Sequence, residues 1–154
     1  MITFRPAVRQ DTTLIVGLAG PTKSGKTLSA HRLAAVIANG GVVVMINTEG
    51  ARGHQYADKF KYLAGDLVAP FRADAYTEAL LEAYKQNPGA IIIDSASHMH
   101  DGPGGTLEWH EEEMTRLAKG DEKKRQAMTY SAWIKPKGAE NRFVEQMLRA
   151  PCPI

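Results

Sequence analysis

Gly20-Pro21-Thr22-Lys23-Ser24-Gly25-Lys26-Thr27 decides the reading of this chain. The stretch satisfies the pattern G-x-x-x-x-G-K-[ST] in full, and its flanks supply the context that the pattern needs. Before it, Leu14-Ile15-Val16-Gly17-Leu18-Ala19 is a short continuous apolar run, as in a strand buried on both faces. After it, Lys26 to Asn39 carries Leu28, Leu33, Val36 and Ile37 at helical spacing, and Gly40-Gly41 stops the helix. Strand, glycine-rich turn and helix in that order predict a loop whose successive N–H groups point inward at an anion. The partial positive charge of the helix N-terminus reinforces them. On this reading Gly20, Pro21, Thr22, Lys23, Ser24, Gly25, Lys26, Thr27 and Leu28 surround a phosphate chain. Lys26 reaches the β- and γ-phosphates, and the Thr27 hydroxyl ligates Mg²⁺. Lys23 either contacts phosphate or a neighbouring subunit, or stays solvated.

Working outward, the same alternation continues. Val42 to Asn47 is a β-branched run broken only by Met45, and Leu67-Val68 before Pro70 reads as a short strand. Asp74 can cap a helix with Tyr76, Leu80, Ala83 and Tyr84 on one face, ended by Asn87-Pro88-Gly89. Ala90-Ile91-Ile92-Ile93-Asp94 follows. Strands that are apolar throughout, alternating with helices, predict an α/β fold with a parallel sheet covered on both faces. Asp94, closing a run of three isoleucines, has the Walker B arrangement, in which a strand-end carboxylate beside the phosphate loop holds the Mg²⁺ shell. Glu49 follows the strand that begins at Val42. It is either a solvated loop carboxylate or the group that polarises an attacking water.

From Ser97 to Ala150 no strand is predicted. Asp101-Gly102-Pro103-Gly104-Gly105 is a loop, and three helices are expected. Thr106 to Lys119 carries Leu107, Met114, Leu117 and Ala118 on one side. Glu122 to Ile134 carries Met128, Tyr130, Trp133 and Ile134, and Gly138 to Arg149 presents Phe143, Val144, Met147 and Leu148. His98, His100 and His110 with Asp101 and Glu111 make a short, unspecific metal-like cluster; His98 is better placed to sense the γ-phosphate or orient a loop.

Composition sets the outer limits. With 154 residues, 44% hydrophobic and 23% charged, the chain is one globular domain, not a disordered chain, a collagen or a coiled coil. The longest apolar runs are strand-sized, well short of the roughly 18–20 residues of a membrane span. The polar stretch Met1 to Thr13, with Arg5, Arg9 and Asp11, has no apolar core of a secretory signal. Cys152 is the single cysteine, so no internal disulfide is possible and a reducing, cytoplasmic setting is expected. Charge is uneven. Residues 1–50 hold five Lys/Arg and two Asp/Glu, residues 51–115 five and eleven, and residues 116–154 nine and four. Lys119, Lys123, Lys124, Arg125, Lys135, Lys137, Arg142 and Arg149, interleaved with Tyr130, Trp133 and Phe143, are either a solvated helical surface or a single-strand-binding one.

Taken together, Gly20-Pro21 with Ser24-Gly25-Lys26-Thr27, Ile46-Asn47-Thr48-Glu49 and Ile93-Asp94-Ser95 resemble the ATPase core of the RecA recombinases. The resemblance is closer to a phage-encoded branch of reduced, core-only RecA-like ATPases, some of which are single-strand annealing recombination proteins. The blocks Thr48 to Asp58, Asp94 to His98, Gly102 to Gly105 with Trp109 to Glu113, and Ala132 to Lys137 carry it, so it spans about residues 12–150. It implies a single RecA-like P-loop domain over 1–154, with a nucleotide-binding core at 13–97 and a helical segment at 98–150. It also implies ATP and Mg²⁺ as cofactors, Glu49 and Lys26 as catalytic residues, and Thr27 and Asp94 at the metal. A homo-oligomeric ring or filament, single-stranded DNA as a partner, no membrane, and the host cytoplasm complete the expectation. In such sheets the strand after Walker B inserts between the Walker A and Walker B strands. Cys152-Pro153-Ile154 stands where that strand begins, so the sheet is expected to be truncated there and the isolated chain poorly stable or inactive. GTP is disfavoured by the absence of an Asn-Lys-x-Asp motif. The alternatives are a nucleotide or small-molecule kinase, with Arg116 to Arg125 as its only lid candidate, and a non-catalytic ATP-gated adaptor in which Glu49 is idle.

Overall fold

A computed structural model describes residues 2–8 and 13–154; Met1, Arg9 and Asp11 of the polar N-terminal stretch lie outside them. The protein is α/β. Among the described residues a sheet of three parallel strands has the order β2-β1-β3, with β1 at Val42–Asn47, β2 at Leu63–Asp66 and β3 at Pro88–Asp94. Asn47 stands opposite Asp94 in the β1–β3 ladder, so both strands end at the same level.

The central strands are apolar throughout because each face of the sheet has its own cover. Helix α1 (Lys26–Ile37) packs Ala34, with Ala38 just beyond it, against Val43, Met45, Ala90 and Ile92. On the other face Val44, Ile46 and Ile91 meet Tyr76, Leu80 and Ala83 of α2 (Ala73–Tyr84), together with Phe143 of α7 (Ile134–Leu148). Successive β1 residues therefore point into different cores, and Val43 to Asn47 are all buried. Phe143 closes the second core edge-on against Tyr76, with ring centroids 5.8 Å apart.

Three expectations are corrected here. Leu14 to Ala19 is extended but is not a buried sheet strand: Leu14, Ile15 and Leu18 are 52%, 42% and 44% exposed. Its ladder is short. Val16 N donates to Ile154 O at 2.9 Å and Ile154 N to Leu14 O at 3.0 Å, while Ile91 N donates to Pro153 O at 2.9 Å. Pro153 and Ile154 thus stand between this segment and β3. The strand read at Leu67-Val68 lies just upstream, at Leu63–Asp66, on an exposed edge; Leu67 makes the last ladder bond, to Asn47 O at 2.8 Å. The inward face of α1 is His31 and Ala34, whereas Leu33 and Val36 are exposed, Val36 at 77%. Small residues let this helix lie close to the sheet, and the His31 ring fills a pocket of Tyr56, Phe60 and Tyr62.

The rest is helical: α3 (His98–Asp101), α4 (Thr106–Ala118), α5 (Glu122–Ala127), α6 (Thr129–Ala132) and α7, with no strand among the described residues between 97 and 150. The second expected helix divides at Met128. The third begins at Ile134, ahead of Gly138, because Pro136 sits in its first turn, where a missing N–H costs nothing. On α4 the inward residues are Thr106, Trp109, His110, Glu113, Met114 and Ala118, so Met114 and Ala118 lie on the expected face, while Leu107 is exposed. The buried Glu113 carboxylate is held by Arg116 Nε and Lys135 Nζ at 2.8 and 2.9 Å. The Arg116 hydrogen bond leads in holding its pKa below the usual carboxylate range, with Lys135 adding to it against the cost of burial.

Candidate phosphate-binding site

Residues 20–27 form a turn that needs its glycines. Ser24 N donates to Pro21 O at 3.2 Å, and Lys23 and Gly25 have φ of 65° and 86°. Gly25, in the left-handed region that favours glycine, immediately precedes α1. A Cβ on Gly20 would lie 2.9 Å from Ser24 Oγ, so the loop closes tightly on itself there. No acidic residue sits in the first turn of α1, and its positive end is left for an anion. Lys26 Nζ bends back over the loop and donates to Gly20 O at 2.8 Å and Pro21 O at 2.9 Å.

The next residue joins the loop to the sheet. Thr27 Oγ1 donates to Asp94 Oδ2 at 2.6 Å, across 67 positions of sequence. Gly20, Lys26, Thr27 and Asp94 line one cleft of about 510 Å³, together with mostly apolar residues of α1, β3 and the extended segment 15–19, with Ser95 and Ser97 just past β3, and with Met147, Pro153 and Ile154. The structure thus brings together the lysine, the hydroxyl and the strand-end carboxylate that the sequence singles out. Pro21, Thr22, Lys23, Ser24, Gly25 and Leu28 belong to the loop and the start of α1 but do not line that cleft.

Glu49 stands on the neighbouring strand tip. Thr48 N donates to Asp94 O at 2.8 Å, which carries the β1–β3 ladder one residue past β1 and sets Glu49 beside the end of β3. The Glu49 carboxylate faces Arg52 Nη1 at 4.0 Å and His98 Nε2 at 3.7 Å and does not line the cleft. The turn that carries it is organised by Asn47, which sequence reasoning missed. Asn47 is fully buried; its amide donates to Gly50 O at 2.8 Å and Asp66 Oδ1 at 2.6 Å and accepts from Glu49 N at 3.0 Å. The Asn47 bond, with His54 second, holds the Asp66 carboxyl below its ordinary value. A Cβ on Gly53 would fall 2.1 Å from Asn47 Oδ1, so only glycine lets the turn close over this amide. The sequence shows only a lone amide ending a β-branched apolar strand, which does not by itself disclose the turn.

The Thr27–Asp94 pair suits a hard divalent cation. Mg²⁺ takes one or two protein oxygens and completes its octahedron with phosphate oxygens and water. The histidines do not converge. His98 turns to Thr48 and Glu49, while His110 Nε2 lies 3.0 Å from Thr129 O, its ring stacked on Trp133 at 4.0 Å. Among the described residues no group of three His, Cys, Asp or Glu side chains is arranged to hold a metal.

The basic C-terminal third is largely neutralised within the chain. Lys124, Arg125, Lys135, Lys137 and Arg142 each pair with a carboxylate: Asp121, Glu111, Glu113, Glu140 and Asp74 respectively. Of its three rings, Phe143 is core, Trp133 is half-buried, and Tyr130 is 89% exposed. No helix among the described residues is long and apolar enough to cross a membrane. Compared with known proteins, the chain matches no family model, no curated protein and no solved structure.

Proposed function

We propose that the chain is an ATP-binding, Mg²⁺-dependent ATPase of the RecA-like P-loop class, serving phage DNA recombination or replication on single-stranded DNA. One observation carries the reading: the 2.6 Å hydrogen bond by which Thr27, at the head of α1, meets Asp94 at the carboxyl end of β3. A hydroxyl and a carboxylate so joined beside a glycine-rich turn are the oxygen donors that a nucleotide-bound Mg²⁺ needs. That ion supplies charge neutralisation at the phosphates. The chain's own residues do the rest. Loop amides and Lys26, released from Gly20 O and Pro21 O, stabilise the charge that develops on the transferring γ-phosphoryl. Glu49 orients the attacking water and accepts its proton. ATP, single-stranded DNA and further copies of the chain in a ring or filament are the partners of this reading, with the host cytoplasm as its setting.

A second reading draws on the position of Glu49, which faces Arg52 and His98 outside the cleft. In a non-catalytic ATP-gated adaptor this carboxylate is idle. The kinase alternative gains nothing, since Arg116 and Arg125, its lid candidates, are engaged with Glu113 and Glu111.

ATP binding and phosphate release, with and without single-stranded DNA and without an added acceptor, test these readings. The ATPase reading expects Lys26→Ala to abolish turnover, and Asp94→Asn to raise the Mg²⁺ concentration required. Hydrolysis unchanged in Lys26→Ala refutes it. Tight ATP binding with no turnover, unaltered in Glu49→Gln, establishes the adaptor.

A further inference from the structure

His98 is held from three sides. Its Nδ1 lies 2.8 Å from Thr48 Oγ1, its Nε2 lies 3.7 Å from Glu49 Oε1, and its ring stacks on Phe71 with centroids 5.1 Å apart. The Thr48 hydroxyl has one proton to give. It already accepts from Ser95 N at 2.8 Å, and the acceptors within reach of its proton include Ser95 O at 3.2 Å and His98 Nδ1 at 2.8 Å. The shorter contact has the better hydrogen-bond distance. A neutral imidazole that accepts at Nδ1 carries its proton on Nε2. Nε2 is the atom that faces Glu49. The Glu49 and His98 side chains are each 30% exposed, so the pair opens onto solvent.

From this geometry we infer that His98 is a positioning residue for Glu49, its Nε2–H aiming the carboxylate while Thr48 and Phe71 fix the ring. The inference rests on Glu49 acting on water in the ATPase reading. The contacts come from two segments distant in sequence: Thr48 and Glu49 follow β1 and Phe71 precedes α2, while His98 itself opens α3. Their convergence gives the ring a defined tautomer and a defined plane. At 3.7 Å the Nε2–H and the carboxylate are in electrostatic contact, and a small closing movement or one bridging water completes the hydrogen bond.

Two measurements test it. In steady-state kinetics, His98→Leu lowers kcat by up to about 10²-fold, the scale of a misplaced reacting group, with ATP binding unchanged. His98→Gln, whose amide N–H still reaches Glu49, restores most of kcat. Adding His98→Leu to Glu49→Gln costs nothing further, because the two residues act as one unit. Turnover by wild-type protein with no loss in His98→Leu overturns the inference, as does an equal further loss in the Glu49→Gln background or a parallel loss of ATP binding. The second measurement needs no turnover. Imidazole ¹⁵N NMR shows the neutral His98 ring as the Nε2–H tautomer, and Glu49→Gln shifts its Nε2 resonance by replacing the carboxylate that it faces. The other groups around the ring are Arg52 beyond Glu49, the Tyr76 hydroxyl that donates to Ser95 O at 2.8 Å, and His100 and Asp101 of its own turn. All remain in that variant, so the shift reports Glu49 alone. An Nδ1–H tautomer, or a ring indifferent to Glu49→Gln, overturns the inference. Absence of hydrolysis in the wild type refutes the ATPase reading while the NMR result still judges the pairing.

Discussion

One turn beyond Thr27 on α1, His31 is fully buried, and its Nε2 has no hydrogen-bond partner. Burial lowers its pKa below the ordinary histidine value, with the nearby Asp94 carboxylate acting in the opposite direction. The unfolded chain therefore binds this proton more tightly than the folded one does. The stability that His31 contributes is present above about pH 6.5 and is lost as pH falls from there through the lower folded value. His31→Phe keeps a ring for Phe60 to stack on, now 5.3 Å between centroids, and removes the titration. Melting curves at pH 7.5 and pH 5 check the point. Wild type loses melting temperature on acidification, at about 2–4 °C for each kcal/mol, and His31→Phe loses less. An equal loss in both proteins assigns the acid sensitivity to other groups.

At the scale of elements, what was legible followed from strong local patterns. The placing of Lys26, Thr27 and Asp94 along one cleft was legible because a fixed motif and a strand-end carboxylate each have a short sequence signature, and both cores of β1 and β3 follow from continuous apolar, mainly β-branched runs. The turn through Asn47 and Gly53 was not legible, because an amide gains its meaning only from chain that approaches it later. The face of α1 was misjudged for a related reason, and that of α4 in part: Met114 and Ala118 are buried as expected, but Leu107 is exposed. Hydrophobic spacing selects the larger residues, while close packing on a sheet or another helix selects Ala34, Ala38 and Ala139 and tolerates His31 and Thr106. A pair of substitutions separates the two criteria. Met45→Ala, at a fully buried site in the α1-side core, costs about 2–5 kcal/mol in urea unfolding. Val36→Ser, on the face that hydrophobic spacing favoured, stays within about 0.5 kcal/mol. A large loss at Val36 would place that face against other chain or a partner.

For the molecule as a whole, the distribution of charge limits how it can hold a nucleic acid. Nine cations in residues 116–154 suggest a strong phosphate track, yet six are engaged with carboxylates. Lys119, Lys123 and Arg149 have no such partner among the described residues, and Tyr130 is the ring left open for stacking. Each phosphate neutralised on a single strand contributes about 0.7 to the slope of log K against log salt. Three free cations therefore predict a slope near −2, whereas a surface that gave up its internal ion pairs to phosphates would approach about −6. Fluorescence titrations of single-stranded DNA over a salt series measure this directly. Tyr130→Ala is expected to weaken binding by about 1–3 kcal/mol with no change in melting temperature, as loss of one stacked base requires. Phe143→Ala is expected to destabilise the fold by about 3–5 kcal/mol, since that ring closes the core against Tyr76. A slope near −6 would mean that Asp74, Asp121 and the carboxylates of α4 and α7 release their cations on binding, which makes the helical half an interface remodelled by DNA. Binding indifferent to both salt and Tyr130 would remove this face from nucleic-acid contact altogether.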